Sequence, residues 1–215
     1  MIRQVLTILF LLFLSARAEA TAQSPDKILI NGEEFSLNTN PLESFLQSVN
    51  WEPPEEAVIW SSNWRGYLAT WEIKNESLVL VNMTIEIDSD PSKDKRERRC
   101  IIETVFPEKK QVVADWFNGA LIIPDGEMTN YVHMGYGSTY EKYQIINIKS
   151  GSVIGHLNMS HSEFLAYRDK KFQAFKQTEM FKAEFINLVD GEYDWSEEQA
   201  LEFMQSYYAE HYLSL

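Results

Sequence analysis

One cysteine, Cys100, stands in 215 residues. A lone thiol closes no intramolecular disulfide, so the fold must rest on its hydrophobic core rather than on covalent staples. The chain contains no G-x-S-x-G, no H-E-x-x-H, no Walker loop, no strand-linked G-x-G-x-x-G and no C-x-x-C. That removes the signatures of the common hydrolase, metalloprotease and nucleotide-binding classes. Positive charge is scarce too: 19 Lys and Arg face 32 Asp and Glu, for a formal net charge of −13. A chain this acidic repels nucleic-acid phosphates and anionic lipid, which disfavours bulk binding to either. Hydrophobic residues at 45% and charged residues at 24% are ordinary globular values, so one packed domain is expected.

The only long apolar run lies at the start. Residues 1–22 read MIRQVLTILFLLFLSARAEATA, with Arg3, an unbroken apolar stretch from Ile8 to Leu14, and then small residues. This order is that of a secretory signal peptide, cleaved after Ala20 or Ala22. The uncharged stretch from Gln4 to Ala16 falls short of the roughly 20 residues that span a bilayer. Cleavage removes Arg3, Arg17 and Glu19 and leaves a soluble product of net charge −14, exported to the periplasm or the exterior. Cys100, followed by Ile101 and Ile102, is expected to be a buried, inert thiol. Three Asn-x-Ser/Thr sequons begin at Asn75, Asn82 and Asn158, but so little cysteine in an exported chain points to a bacterial envelope protein.

Patterning then gives the elements. Asn31-Gly32 between two short apolar runs predicts a tight hairpin over Lys27–Leu37. Asn40-Pro41 opens a short helix carrying Leu42, Phe45, Leu46 and Val49, which Glu52-Pro53-Pro54 ends. From Trp64 to Ile87, Tyr67, Ala69, Trp71 and Ile73 fall on one face and Leu68, Thr70, Glu72 and Lys74 on the other, and Asn75-Glu76-Ser77 turns the chain into a second strand. Ser89–Arg99 has no apolar residue and reads as a solvated loop. Arg99–Phe106 and Gln111–Ile123 read as strands, with a hairpin at Asn118-Gly119; Tyr131–Tyr140 and Tyr143–Ile148 are further extended segments. A long helix capped by Ser160 or Ser162 is expected to run to about Ile186. The capping box Ser196-x-x-Gln199 starts a final one. The reading is α+β: a largely antiparallel sheet of seven to nine strands over residues 23–155, open or barrel-like, then two C-terminal helices over 156–215.

Three segments concentrate chemistry. Trp60–Tyr67 crowds Trp64, Arg65 and Tyr67 together, and such residues stack on sugar faces or peptide side chains or fork onto a carboxylate. Ala114–Gly119 sets Asp115 beside Trp116 in an apolar setting, where a buried carboxylate needs a partner; Arg65 is the natural one, with capping of turn amides as the alternative. Tyr131–Glu141 combines His133, Tyr136 and Glu141 with two glycines that permit close backbone approach. Glu72, Asp115, His133 and Glu141 are accordingly the candidate catalytic groups of a glycan- or peptide-cleaving cleft. Trp64, Arg65, Tyr67, Asp115, Trp116, His133 and Tyr136 are the candidate binding residues. Each segment also has an architectural reading, as aromatic core or glycine-kinked strand. His156 and His161 are five apart, which does not place two imidazoles on one metal, and no cofactor is implied.

The segments Trp64-Arg65-Gly66-Tyr67-x-Ala69-x-Trp71-Glu72-Ile73, Ala114-Asp115-Trp116-Phe117-x-Gly119 and Tyr131-Val132-His133-x-Gly135-Tyr136-Gly137-Ser138 resemble a family of uncharacterised bacterial proteins. The resemblance covers about Lys27–Ile148. It implies a shared sheet domain and carries over no catalytic residue. Three functions remain: an exported binding protein with a protein, peptide or glycan partner, an envelope hydrolase, and a neutraliser of a secreted cationic protein.

Overall fold

A computed structural model describes residues 21–90, 95–191 and 193–215, so residues 1–20 of the predicted signal segment lie outside it. The fold is α+β. Among the described residues nine strands form one mixed, largely antiparallel sheet: β1 (Asp26–Ile30), β2 (Glu33–Leu37), β3 (Leu68–Lys74), β4 (Ser77–Asp90), β5 (Lys95–Cys100), β6 (Val112–Val113), β7 (Gly119–Asn130), β8 (Thr139–Lys149) and β9 (Ser152–Ser160). The main path runs β2-β1-β3-β4-β9-β8-β7, with β5 and β6 also pairing with β4. Among the described strand pairs only β1 and β3 run parallel. Among the described residues there are six helices: α1 (Glu43–Ser48), α2 (Ile102–Val105), α3 (His161–Phe175), α4 (Glu179–Asp190), α5 (Glu197–Tyr207) and α6 (Ala209–Tyr212).

Two of the three expected hairpins form where the turn chemistry demanded them. Asn31 and Gly32 both take positive φ between β1 and β2, as a two-residue turn requires, and Asn75-Glu76 does the same between β3 and β4. The predicted face of β3 is the buried one: Tyr67, Ala69 and Trp71 are all but inaccessible. The sheet is an open path rather than a closed barrel, but one short segment ties its two ends. Beyond β2, the Asn38 N–H donates to the Ile122 carbonyl at 2.8 Å, while the Thr39 hydroxyl donates to the Ala120 carbonyl at 3.1 Å and accepts from the Ile122 N–H at 2.9 Å.

Strands β7 and β8 are covered on both sides, which accounts for the unbroken apolar runs Ala120–Ile123 and Ile145-Ile146. Leu121, Ile123, Ile146 and Ile148 face a core shared with Trp71, Leu80 and α1. Ala120, Ile122, Tyr143 and Ile145 face a second core built with Phe164, Phe172, Phe175, Met204 and Tyr212 from the helices.

Several expectations are corrected. The charged stretch is not a loop where it is described: β4 runs on to Asp90 and β5 pairs with it, Glu86 opposite Arg98 and Asp88 opposite Arg96. Alternating opposite charges replace apolar alternation on this exposed ribbon, so hydropathy alone gave no strand signal. Cys100 is exposed rather than buried, because it closes that edge strand and burial begins only at Ile101. Ile102–Val105 is helical, not extended, which brings Ile102 and Phe106 into the core together. Asn118-Gly119 makes no hairpin: β6 pairs with β4 and β7 with β8, and the Asn118 side chain instead accepts from the Ser150 N–H at 2.9 Å. Tyr131–Ser138 forms a loop ahead of β8. Strand β9 continues through Ser160, so the helical part begins at His161 rather than His156. There the Ser160 capping box with Glu163 forms as expected, and so does that of Ser196 with Gln199. The long helix, however, breaks into α3 and α4, because the Thr178 side chain accepts from the Phe181 N–H and caps a new start without any Gly or Pro. Four helices, not two, therefore follow the sheet.

Candidate functional site

The polar centre of the molecule grows from Asp26, the first residue of β1, whose side chain is wholly buried. Its carboxylate accepts from the Ala69 N–H and from the Trp71 indole N–H, each at 3.1 Å, and lies 3.2 Å from Arg65 Nη1. Burial pushes the Asp26 carboxyl up from its ordinary value, against the opposing pull of Arg65 and the two N–H donors. Burial is the largest influence and would lower the Arg65 guanidinium, but Asp26, Tyr136 and Tyr67 together outweigh it and raise the group above its ordinary value. The same guanidinium donates to Asn40 Oδ1 at 2.6 Å and to the Ser24 carbonyl at 3.0 Å. Asn40 Oδ1 also accepts from the Tyr136 hydroxyl at 2.9 Å. One asparagine after β2 thus joins the sheet to the Tyr131–Ser138 loop.

The local turn that aims Arg65 depends on its neighbour. Gly66 has φ +71, and a Cβ there would stand 2.6 Å from Pro53 Cγ, so only glycine lets the chain pass the Pro53-Pro54 pair.

Above this network lies a cavity of about 490 Å³ between the sheet end, the Tyr131–Ser138 loop and helices α3, α5 and α6. The size is typical of small-ligand sites. Trp64, 59% exposed, and Tyr207 present aromatic surface in its wall. Two carboxyl groups line it from separate elements, Glu43 on α1 and Glu210 on α6. Burial raises the Glu210 carboxyl to about 7; Glu43 adds to the rise and the Asn40 backbone N–H opposes it. Burial likewise raises Glu43, helped by Asp26 and countered by Arg65 and the Asn40 side chain. Burial pushes Tyr136 up to about 12. Around neutral pH the site therefore holds a neutral tyrosine and a carboxyl pair with a proton near one member.

Of the candidate binding residues, Trp64, Arg65 and Tyr136 meet in this cavity. Tyr67 is buried beneath it, with the Arg65 guanidinium carbon 5.0 Å from its ring centroid. The expected Arg65–Asp115 pair does not form: Asp26 takes the guanidinium and Asp115 is exposed. Trp116 belongs to the core, stacked on Phe106 and donating its indole N–H to the Pro41 carbonyl. His133 is exposed and accepts or donates at 2.8 Å with the Tyr131 hydroxyl. None of Glu72, Asp115, His133 and Glu141 lines the cavity. Sequence reasoning missed Asp26, Asn40, Glu43, His161, Arg168 and Glu210. Only Asp26 carried a local signal, an acid opening an apolar strand.

Among the described residues no cluster of three or more His, Cys, Asp or Glu is placed to hold a metal, and no helix is long and apolar enough to cross a membrane. Comparison with known protein families, with curated proteins and with solved structures finds no match for this chain, so its site is read from its own geometry.

Proposed function

We propose that this chain is an exported binding protein for a small polar ligand, held in the cavity between the sheet end and helices α3, α5 and α6. The observation that carries the reading is the convergence of Trp64, Tyr136, Glu43 and Glu210 on one 490 Å³ space whose floor is fixed by the Asp26–Arg65 pair. A rigid, hydrogen-bonded floor under exposed aromatic surface is the arrangement that small-ligand sites use. Export rests on the N-terminal segment, and kinship with the bacterial family that the three motifs resemble is part of the same proposal. Two of those motifs supply cavity residues: Trp64 and Arg65 from one, Gly135 to Ser138 from another.

The test is a tryptophan-fluorescence titration of the mature chain against a panel of short glycans, amino acids and dipeptides. Saturable change that Trp64→Ala removes supports the reading; no member binding at millimolar concentration overturns it. A second reading, hydrolysis, is favoured by the Glu43–Glu210 pair, since a carboxyl near 7 is suited to acid–base work at neutral pH. Product formation from a bound panel member, lost in Glu210→Gln, distinguishes it from binding alone.

A further inference from the structure

The cavity wall carries charge of both signs, and two of its polar atoms are orphaned. His161 Nδ1 and Arg168 Nε are buried without a hydrogen-bond partner, and both residues line the cavity. They stand seven apart on α3, two helical turns, and so share one face. Arg168 lies 5.9 Å from the Phe164 ring centroid and, among the described residues, makes no ion pair. Arg168 therefore brings its charge to the cavity wall without a counter-ion among the described residues.

Glu43 and Glu210 supply the other sign. Arg65 partly offsets Glu43 through space, but its hydrogen-bond donors are engaged by Asp26, Asn40 and Ser24. The two signs act in different neighbourhoods. Arg168 is felt by Tyr143 and Tyr212, whereas Glu43 is felt by Glu210, Tyr67 and Tyr136. A simple anion would satisfy Arg168 and be repelled by the carboxyl pair; a polyamine would satisfy the pair and leave Arg168 orphaned. A ligand with one charge of each sign satisfies both.

We propose that the cavity binds a zwitterion of the amino-acid or short-peptide kind, its carboxylate on His161 and Arg168 and its ammonium at Glu43 and Glu210. Trp64 and Tyr207 then take an apolar side chain against their rings. The assignment rests on the cavity being a ligand site, and deepens that reading. It also implies that affinity rises from about pH 6 to neutrality, as Glu210 loses its proton to become a counter-ion, and falls again above about pH 8, as the ligand's α-ammonium, of ordinary pKa about 7.7–8.0, loses its own. Besides Glu43, the groups facing Glu210 are the Asn40 N–H and His211, whose imidazole lies 3.5 Å away and is itself held below its ordinary value by burial.

The experiment is isothermal titration of the unmodified mature chain with the dipeptide Ala-Phe, its N-acetyl form and its C-terminal amide. The free dipeptide is expected to bind, and each blocked form to bind at least tenfold more weakly. In Arg168→Met the preference for the free dipeptide over the amide should shrink; in Glu210→Gln its preference over the acetylated form should shrink and the rise in affinity towards neutral pH should flatten. Circular dichroism confirms that each variant is folded, and the blocked-peptide comparison needs no variant. If blocked forms bind as well as the free one, or if only a glycan of the fluorescence panel binds, the zwitterion is overturned while the cavity remains a ligand site. If nothing binds in either experiment, both readings fall.

Discussion

Replacing Glu210 by glutamine should stabilise the protein, and only at higher pH. The folded carboxyl holds its proton to about 7, whereas an ordinary glutamate releases it at 4.5. Between those values the folded chain carries a proton that the unfolded chain has lost. Stability due to this group is thus fully present below 4.5 and is lost as pH rises through 7. Each pH unit across that window costs about 1.4 kcal/mol, for a total of about 3 kcal/mol by pH 8. The side chain is 28% exposed, so its burial is deep enough for most of that to be felt. Glutamine keeps the shape of the neutral acid and cannot ionise. Urea unfolding at pH 5 and pH 8 reads the difference: near equality at pH 5, and the glutamine variant ahead by about 2–3 kcal/mol at pH 8, with unchanged m. A variant that is less stable at pH 8 would show that the ionised carboxylate is stabilising and would refute the reasoning.

Four other outcomes follow from the same structure. Arg65→Met leaves Asp26 buried without its counter-charge and should lower stability by about 3–5 kcal/mol in urea unfolding, while Trp64→Ala should stay within about 0.5 kcal/mol. Gly66→Ala combines a left-handed backbone with a Cβ 2.6 Å from Pro53 and should cost about 1–3 kcal/mol in the same assay. Arg168→Met removes an orphaned donor and should leave the melting temperature unchanged or higher, the reverse of Arg65→Met. Cys100, exposed at the end of β5, should react completely with a thiol reagent in the folded protein; reaction only in denaturant would place it back in the core.

What was legible in the chain was what is local. Asn31-Gly32 and Asn75-Glu76 dictate their turns, the alternation around Trp71 dictates which face of β3 is buried, and the two capping boxes mark helix starts. The β4–β5 ribbon was illegible because its strands alternate charge against charge instead of apolar against polar. The break at Thr178 was hidden because a threonine cap ends one helix and starts the next without glycine or proline. The site itself is assembled from Asp26, Asn40, Arg65, Tyr136, Arg168 and Glu210, which no sequence window contains together. Arg65 is recognisable by its aromatic neighbours, but its pairing with Asp26 rather than Asp115 follows from the β1–β3 register, which no local pattern carries.

The tie made by Asn38 and Thr39 bears on how the molecule folds. Its side-chain bonds join residues 81 and 83 apart in sequence, and the segment that makes them leads directly to Asn40 and Glu43 in the cavity wall. Closing so long a loop is slow and brings its reward only once both partners are formed. The β1–β4 unit and the β7–β9 meander are each built from contacts closer in sequence than this tie, but the cavity does not exist in either of them. The cavity should therefore be the last feature to appear during refolding, arriving in the same kinetic phase that welds the two units into one cooperative whole.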